Sequence, residues 1–163
     1  MGQSGPDYVV TATGDTLRGQ VQLIGKNFQK INLTRAGQPV QQFGAAQVAA
    51  YGNANGVARV SKPVGARGPA QLLAPVVKGY VSLYSGQNTD GELRFYLQPA
   101  DSAHVVEIAP ATPELTYLRT LPGCPSLAFG YGKIQAQYPY NRGDLTRLVN
   151  TYNACGHSNR PWR

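Results

Sequence analysis

The stretch VVKGYVSLYSGQNTDGELRFYLQP, residues 76–99, holds the longest run of period-2 alternation in the chain. Odd positions Val77, Val81, Leu83, Leu93, Phe95 and Leu97 are apolar; even positions Lys78, Tyr80, Ser82, Tyr84, Glu92, Arg94, Tyr96 and Gln98 are polar or end in a polar group. Successive side chains of a strand point to opposite faces, so this alternation predicts a hairpin with one buried and one solvated face. Ser85-Gly86-Gln87-Asn88-Thr89-Asp90-Gly91 supplies residues that tolerate positive φ or bond their own backbone, as a chain reversal needs. The hairpin is expected at the centre of the fold, with other elements covering Leu83 and Phe95.

Outward from it, the sequence reads as short strands and turns. Tyr8 to Thr13 and Leu17 to Ile24 form a first hairpin around Thr13-Gly14-Asp15-Thr16, with Leu17, Val21 and Leu23 on one face and Arg18, Gln20 and Gln22 on the other. Phe28 to Thr34, Val40 to Phe43 and Val57 to Ser61 are further strands, and Gly44 to Tyr51 reads either as a helical turn or as a loop entering a strand. Residues 63–75 contain Pro63, Gly65, Gly68, Pro69 and Pro75 and are expected to form a long loop with at most one helical turn at Gln71-Leu72-Leu73.

Downstream, Ala103 to Ile108 is a strand. Pro113 to Leu121 is a short helix with Pro at its first turn and an acid, Glu114, beside it. Gly143 to Cys155 is the one amphipathic helix, its stripe Leu145, Leu148, Val149 and Tyr152 spaced i, i+3, i+4, i+7, with Cys155 on the same side.

With 163 residues, 19 Gly and 12 Pro but few charges, the chain suits a single β-dominated domain. Residues 1–7 are expected to be a flexible N-terminus, 8–155 the domain, and 156–163 a tail. Fifteen Lys and Arg against eight Asp and Glu give a net charge of +7, but the cations are scattered, unlike the concentrated patch of a nucleic-acid groove. No apolar run approaches a membrane span. Met1-Gly2-Gln3-Ser4-Gly5 reads as the start of a mature chain after removal of an export signal. Cys124 and Cys155 are the only cysteines, either two buried thiols or a bridge.

Catalytic constellations are thin. His104 and His157 have no metal-ligand spacing, and Phe129-Gly130-Tyr131-Gly132-Lys133 is not a phosphate loop. Ser126 reads as a helix N-cap and Asp15 as a turn residue. Glu92, Glu107 and Glu114 are the candidate carboxylates of a hydrolase. A binding surface reads better: Tyr80, Tyr84 and Tyr96 with Lys78 and Arg94 would interleave aromatics and cations on the solvated hairpin face. A second aromatic group, Phe129, Tyr131, Tyr138, Tyr140 and Tyr152, reads as core packing or a ligand pocket.

Tyr8-Val9-Val10 with Thr13-Gly14-Asp15-Thr16-Leu17-Arg18-Gly19, and the later Cys124-Pro125-Ser126-Leu127, Tyr140, Leu145, Leu148-Val149 and Tyr152-Asn153-Ala154-Cys155, are together similar to the two ends of a family of exported Bacteroidetes proteins with no established activity. In many members the domain precedes an outer-membrane β-barrel. The resemblance implies export, a Cys124–Cys155 disulfide and a β-rich domain with a C-terminal helix. The combined expectation is a twisted antiparallel sheet or partly open barrel, α+β with β dominant, pinned by one disulfide. Its expected role is a non-enzymatic binding module of the envelope (periplasmic, outer-membrane-associated or secreted) with a protein or glycan partner and no cofactor or metal. A basic oligonucleotide-binding barrel and a carboxylate-dependent hydrolase are the alternatives.

Overall fold

A computed structural model describes residues 7–127 and 133–155. Expectations for the N-terminus before Asp7, for Phe129 to Gly132, for His157 and for the tail 156–163 fall outside the described residues. The described residues are mostly antiparallel sheet, with ten strands, three α-helices and a disulfide between Cys124 and Cys155. The chain divides into two compact units, residues up to Ala74 together with Gly86–Leu93, and Pro75–Ser85 together with the chain from Arg94 onward.

In the first unit, β1 (Asp7–Thr11), β2 (Thr16–Ile24), β3 (Lys30–Thr34), β4 (Gln41–Gly44), β5 (Val48–Asn53), β6 (Gly56–Pro63) and β7 (Ala70–Val77) lie in the order β7-β6-β5-β1-β2-β3-β4. The expected alternation of β2 holds, since Arg18, Gln20 and Gln22 are exposed while Leu17, Val21 and Leu23 pack on a core of Val9, Ile31, Leu33, Ala45, Val48 and Leu72. Both readings of residues 44–51 are realised in sequence: a 3-10 turn at Ala45–Gln47, then β5. The Ala45 amide donates to the Gln29 carbonyl (2.8 Å), and the Ser61 hydroxyl donates to the Ala45 carbonyl (2.6 Å).

Two expectations are corrected here. Residues 70–77 are strand β7, which pairs with β6 from Val60↔Leu73 to Pro63↔Ala70. Pro75 lies beyond those pairs, so its missing N–H leaves no rung unfilled there. Phe28 is not in a strand but in a turn with φ of 51°, and β3 starts at Lys30. At Gly52 a Cβ would meet the Tyr8 hydroxyl at 2.6 Å and the Gly56 carbonyl at 2.4 Å, so no side chain fits beneath the Tyr8 ring.

In the second unit, β8 (Ser82–Gln87), β9 (Leu93–Gln98) and β10 (Val106–Glu107) are neighbours, followed by α1 (Pro113–Thr120), α2 (Lys133–Gln137) and α3 (Arg142–Asn153). Of the odd positions of the hairpin, Val81, Leu83, Phe95 and Leu97 are buried as expected with Ile108, Tyr117, Leu121, Ile134 and the α3 stripe Leu145, Leu148, Val149 and Tyr152, but Val77 is only partly buried and Leu93, at the start of β9, is exposed. The first hairpin strand is shorter than its alternation implies, because Lys78–Val81 form a bend between β7 and β8. The strand expected at 103–108 is shortened to β10, and a long-range contact ends it before Ile108. The Ile108 amide still donates to Phe95, but the Phe95 N–H, which would complete the pair, donates instead to the Tyr140 hydroxyl (2.9 Å).

Asn141 caps α3 by accepting from the Asp144 amide (2.8 Å). At its other end three contacts fasten the helix. Asn153 accepts from the Val81 amide (2.8 Å) and donates to the Val81 carbonyl (2.9 Å), Tyr152 donates to the Pro122 carbonyl (2.6 Å), and Cys155 bonds Cys124. Ser126 caps no helix; it sits in a turn closed by the Leu127 amide and the Cys124 carbonyl. A Cβ on Gly79 would lie 2.5 Å from the Asn153 amide nitrogen, so the Asn153 contact needs glycine there.

Reducing the disulfide is expected to lower unfolding free energy by about 3–4 kcal/mol, read from urea denaturation with and without reductant. Gly79→Ala and Asn153→Ala are each expected to cost about 1–3 kcal/mol and together clearly less than their sum. An additive double-mutant cycle would contradict the close packing of these two residues.

Candidate functional site

Of the five hairpin residues expected on a solvated face, only Lys78 and Tyr80 are exposed, and both lie in the bend before β8. The Tyr80 ring is 6.4 Å from the Tyr152 ring. Tyr84 and Tyr96 are fully buried, which corrects the expectation for them. The Tyr84 hydroxyl donates to Gln98 (3.0 Å), whose amide donates to the Ser102 carbonyl (2.7 Å). The Arg94 Nε lies 3.3 Å from the Glu107 carboxylate. The hairpin is therefore buried on both faces of its core segment, and Tyr84 and Tyr96 offer no surface to a partner.

Burial, above all, pushes the phenols of Tyr84, Tyr96, Tyr117 and Tyr140 above their ordinary range. For Tyr96 the Glu107 carboxylate adds to the rise, and for Tyr140 the Phe95 N–H acts against it. Tyr138 and Tyr152 are core, as one of the two readings expected, and Tyr140 packs edge-on to Phe95 at 5.4 Å; Phe129 and Tyr131 lie outside the described residues.

The candidate carboxylates have local roles. Glu107 faces Arg94, Glu92 accepts from the Asn88 amide group in the β8–β9 turn (3.0 Å), and Glu114 opens α1 with its Oε1 buried and unbonded. Asp15 sits in its turn, accepting from the Thr13 hydroxyl (3.3 Å), and His104 approaches the Ser102 hydroxyl (3.1 Å). Among the described residues no group of three His, Cys, Asp or Glu side chains is placed to hold a metal ion. No helix there is long and apolar enough to cross a membrane.

The surface that sequence reasoning missed is on α1. Leu115 and Leu118 remain 58% and 48% exposed. Leu118 continues into a cleft of about 480 Å³ lined by Leu121, Pro122, Gly123, Cys124 and Pro125. A signal for it was present: Pro113, Thr116, Tyr117 and Thr120, spaced three and four apart, take the buried side of α1, which leaves Leu115 and Leu118 off it. The cleft is bounded by covalent and hydrogen-bonded constraints, since Cys124 is bridged and the Pro122 carbonyl is held by Tyr152.

Comparison with protein-family models, with curated proteins and with solved structures finds no match to this chain.

The tyrosine environments set an alkaline limit. The unfolded chain loses these phenolic protons near the ordinary 10.0, whereas the folded chain keeps them. Above that pH the unfolded state binds fewer protons, so this contribution is complete below pH 10 and is lost as pH rises. Spectrophotometric titration is expected to show Tyr84, Tyr96, Tyr117 and Tyr140 ionising only as near-ultraviolet circular dichroism collapses. Ionisation of all ten tyrosines in one step, with the dichroism intact, would refute their burial.

Proposed function

We propose that this protein is an exported, non-enzymatic interaction module of the bacterial envelope, which grips an apolar segment of a partner protein in the cleft beside α1. The observation that carries the reading is the half-exposed Leu118, with exposed Leu115 on the same helix, lining an apolar cleft that also includes the bridged Cys124. Exposed apolar side chains grouped at a concavity favour association, because their burial on binding removes them from water. A lining held at Cys124 by the bridge and at Pro122 by the Tyr152 hydroxyl lowers the ordering cost of binding. The bridge supports an oxidising compartment, in keeping with export. The rival readings draw less support. Arg94 and Arg147 are engaged by Glu107 and Asp144, and Arg59 lies over the ring of Phe28.

A random peptide display library panned on the purified protein tests the reading. Selected peptides are expected to carry apolar anchors, and Leu118→Asp to cut their retention at least about tenfold, the equivalent of about 1.4 kcal/mol. Tyr80→Ala is expected to leave retention unchanged. Because Leu118 is half exposed, its substitution should leave the melting temperature near that of the parent. Retention indifferent to Leu118→Asp would remove the basis of the proposal.

A further inference from the structure

The outer face of β2, β3 and β4 has a composition that solvation alone does not require. Its side chains alternate with the packed Leu17, Val21, Leu23, Ile31, Leu33 and Phe43, so the backbone beneath them is fixed by the first unit's core. On this face Gln22, Asn32 and Gln42 occupy one rung across three strands, by the pairings Gln22↔Asn32 and Asn32↔Gln42. Gln20 lies two residues along β2 from that rung, opposite Thr34. The Gln42 amide donates to Asn32 Oδ1 (3.1 Å), which orients both groups. Gln20, Gln22 and Gln42 are exposed and Asn32 is half-buried. The only charges on the face of these strands are the cations Arg18 and Lys30; no carboxylate is among them. Asparagine is disfavoured in strands, yet Asn32 occupies the middle of β3.

We propose that this face binds an acidic polysaccharide laid across the Gln22-Asn32-Gln42 rung. A primary amide presents two donors and an acceptor in one plane, and so matches neighbouring sugar hydroxyls, each of which also donates and accepts. Adjacent strands set such amides about 4.8 Å apart, a fixed row along which repeated sugar units find equivalent contacts. Arg18 and Lys30 supply the attraction for carboxylates on the chain, and these strands carry no acid of their own; the Asp7 carboxylate of β1 is occupied in accepting from the Val21 amide (3.1 Å). The surface is separate from the α1 cleft and does not depend on the function proposed for it.

Native affinity electrophoresis in gels containing polygalacturonate, with dextran as the neutral counterpart, tests this at about 0.15 M salt, where weak long-range attraction is screened. Polygalacturonate is expected to retard the protein, and the double substitution Gln22→Ala with Asn32→Ala, which leaves the net charge untouched, to weaken retardation about tenfold. Leu118→Asp is expected to leave it unaltered, which separates this site from the cleft. Equal retardation of the amide variant would reduce the effect to the +7 charge and overturn the proposal. Retardation by dextran alone would overturn the acidic assignment, and retardation by neither polymer would overturn the site.

Discussion

Asn153 holds both backbone groups of Val81, and the arrangement of the second unit follows from that grip. Val81 stands where the bend after β7 turns into β8, at a point where the strand ladder has stopped and its N–H and C=O need partners. A primary amide supplies one donor and one acceptor in the geometry that a neighbouring strand would offer. The last turn of α3 thereby substitutes for a strand, and Gly79 leaves the room it needs. Tyr152 and the Cys124–Cys155 bridge fasten the same turn to the segment after α1, so the α3 stripe lies on the odd face of the hairpin with little freedom to slide.

The first unit builds its core from strands and one 3-10 turn, with no α-helix among its described residues. Its strands keep an apolar inner face and a polar outer one, as antiparallel sheets with one solvated side do. The 3-10 turn at Ala45–Gln47 sends the chain from edge strand β4 to the interior strand β5. The register shifts in β1–β5 pairing at Val10/Thr11 and in β5–β6 pairing at Tyr51/Gly52. Arg59 closes the inner side, donating to the Leu72 carbonyl (3.1 Å) with its guanidinium 4.8 Å from the Phe28 ring centre.

Much of this was legible where one periodicity governed a segment undisturbed. The Leu17–Leu23 alternation and the Leu145–Tyr152 stripe both report a single interface, and both are realised. The Cys124–Cys155 pairing implied by the resemblance is present as well. Alternation misled at Tyr84 and Tyr96, because an amphipathic aromatic can take either a wet face or a covered one, and the pattern is the same in both. Prolines concealed β7, since sequence does not reveal which residues of a strand need their N–H. The early end of β10 depends on the Tyr140 hydroxyl, 45 residues from Phe95, and no local pattern carries that information. The α1 cleft was readable only by asking which apolar residues of a short helix were left over once one face had been filled.

The bond between Cys124 and Cys155 makes the intervening chain, with α2 and α3 in it, a closed covalent loop. A protease that severs one peptide link anywhere inside this loop leaves two fragments joined through sulfur. The mass of the molecule then rises by one water, while its band on a denaturing gel stays whole until a thiol reagent is added. An uncut appearance without reductant is therefore no measure of backbone integrity in this part of the protein.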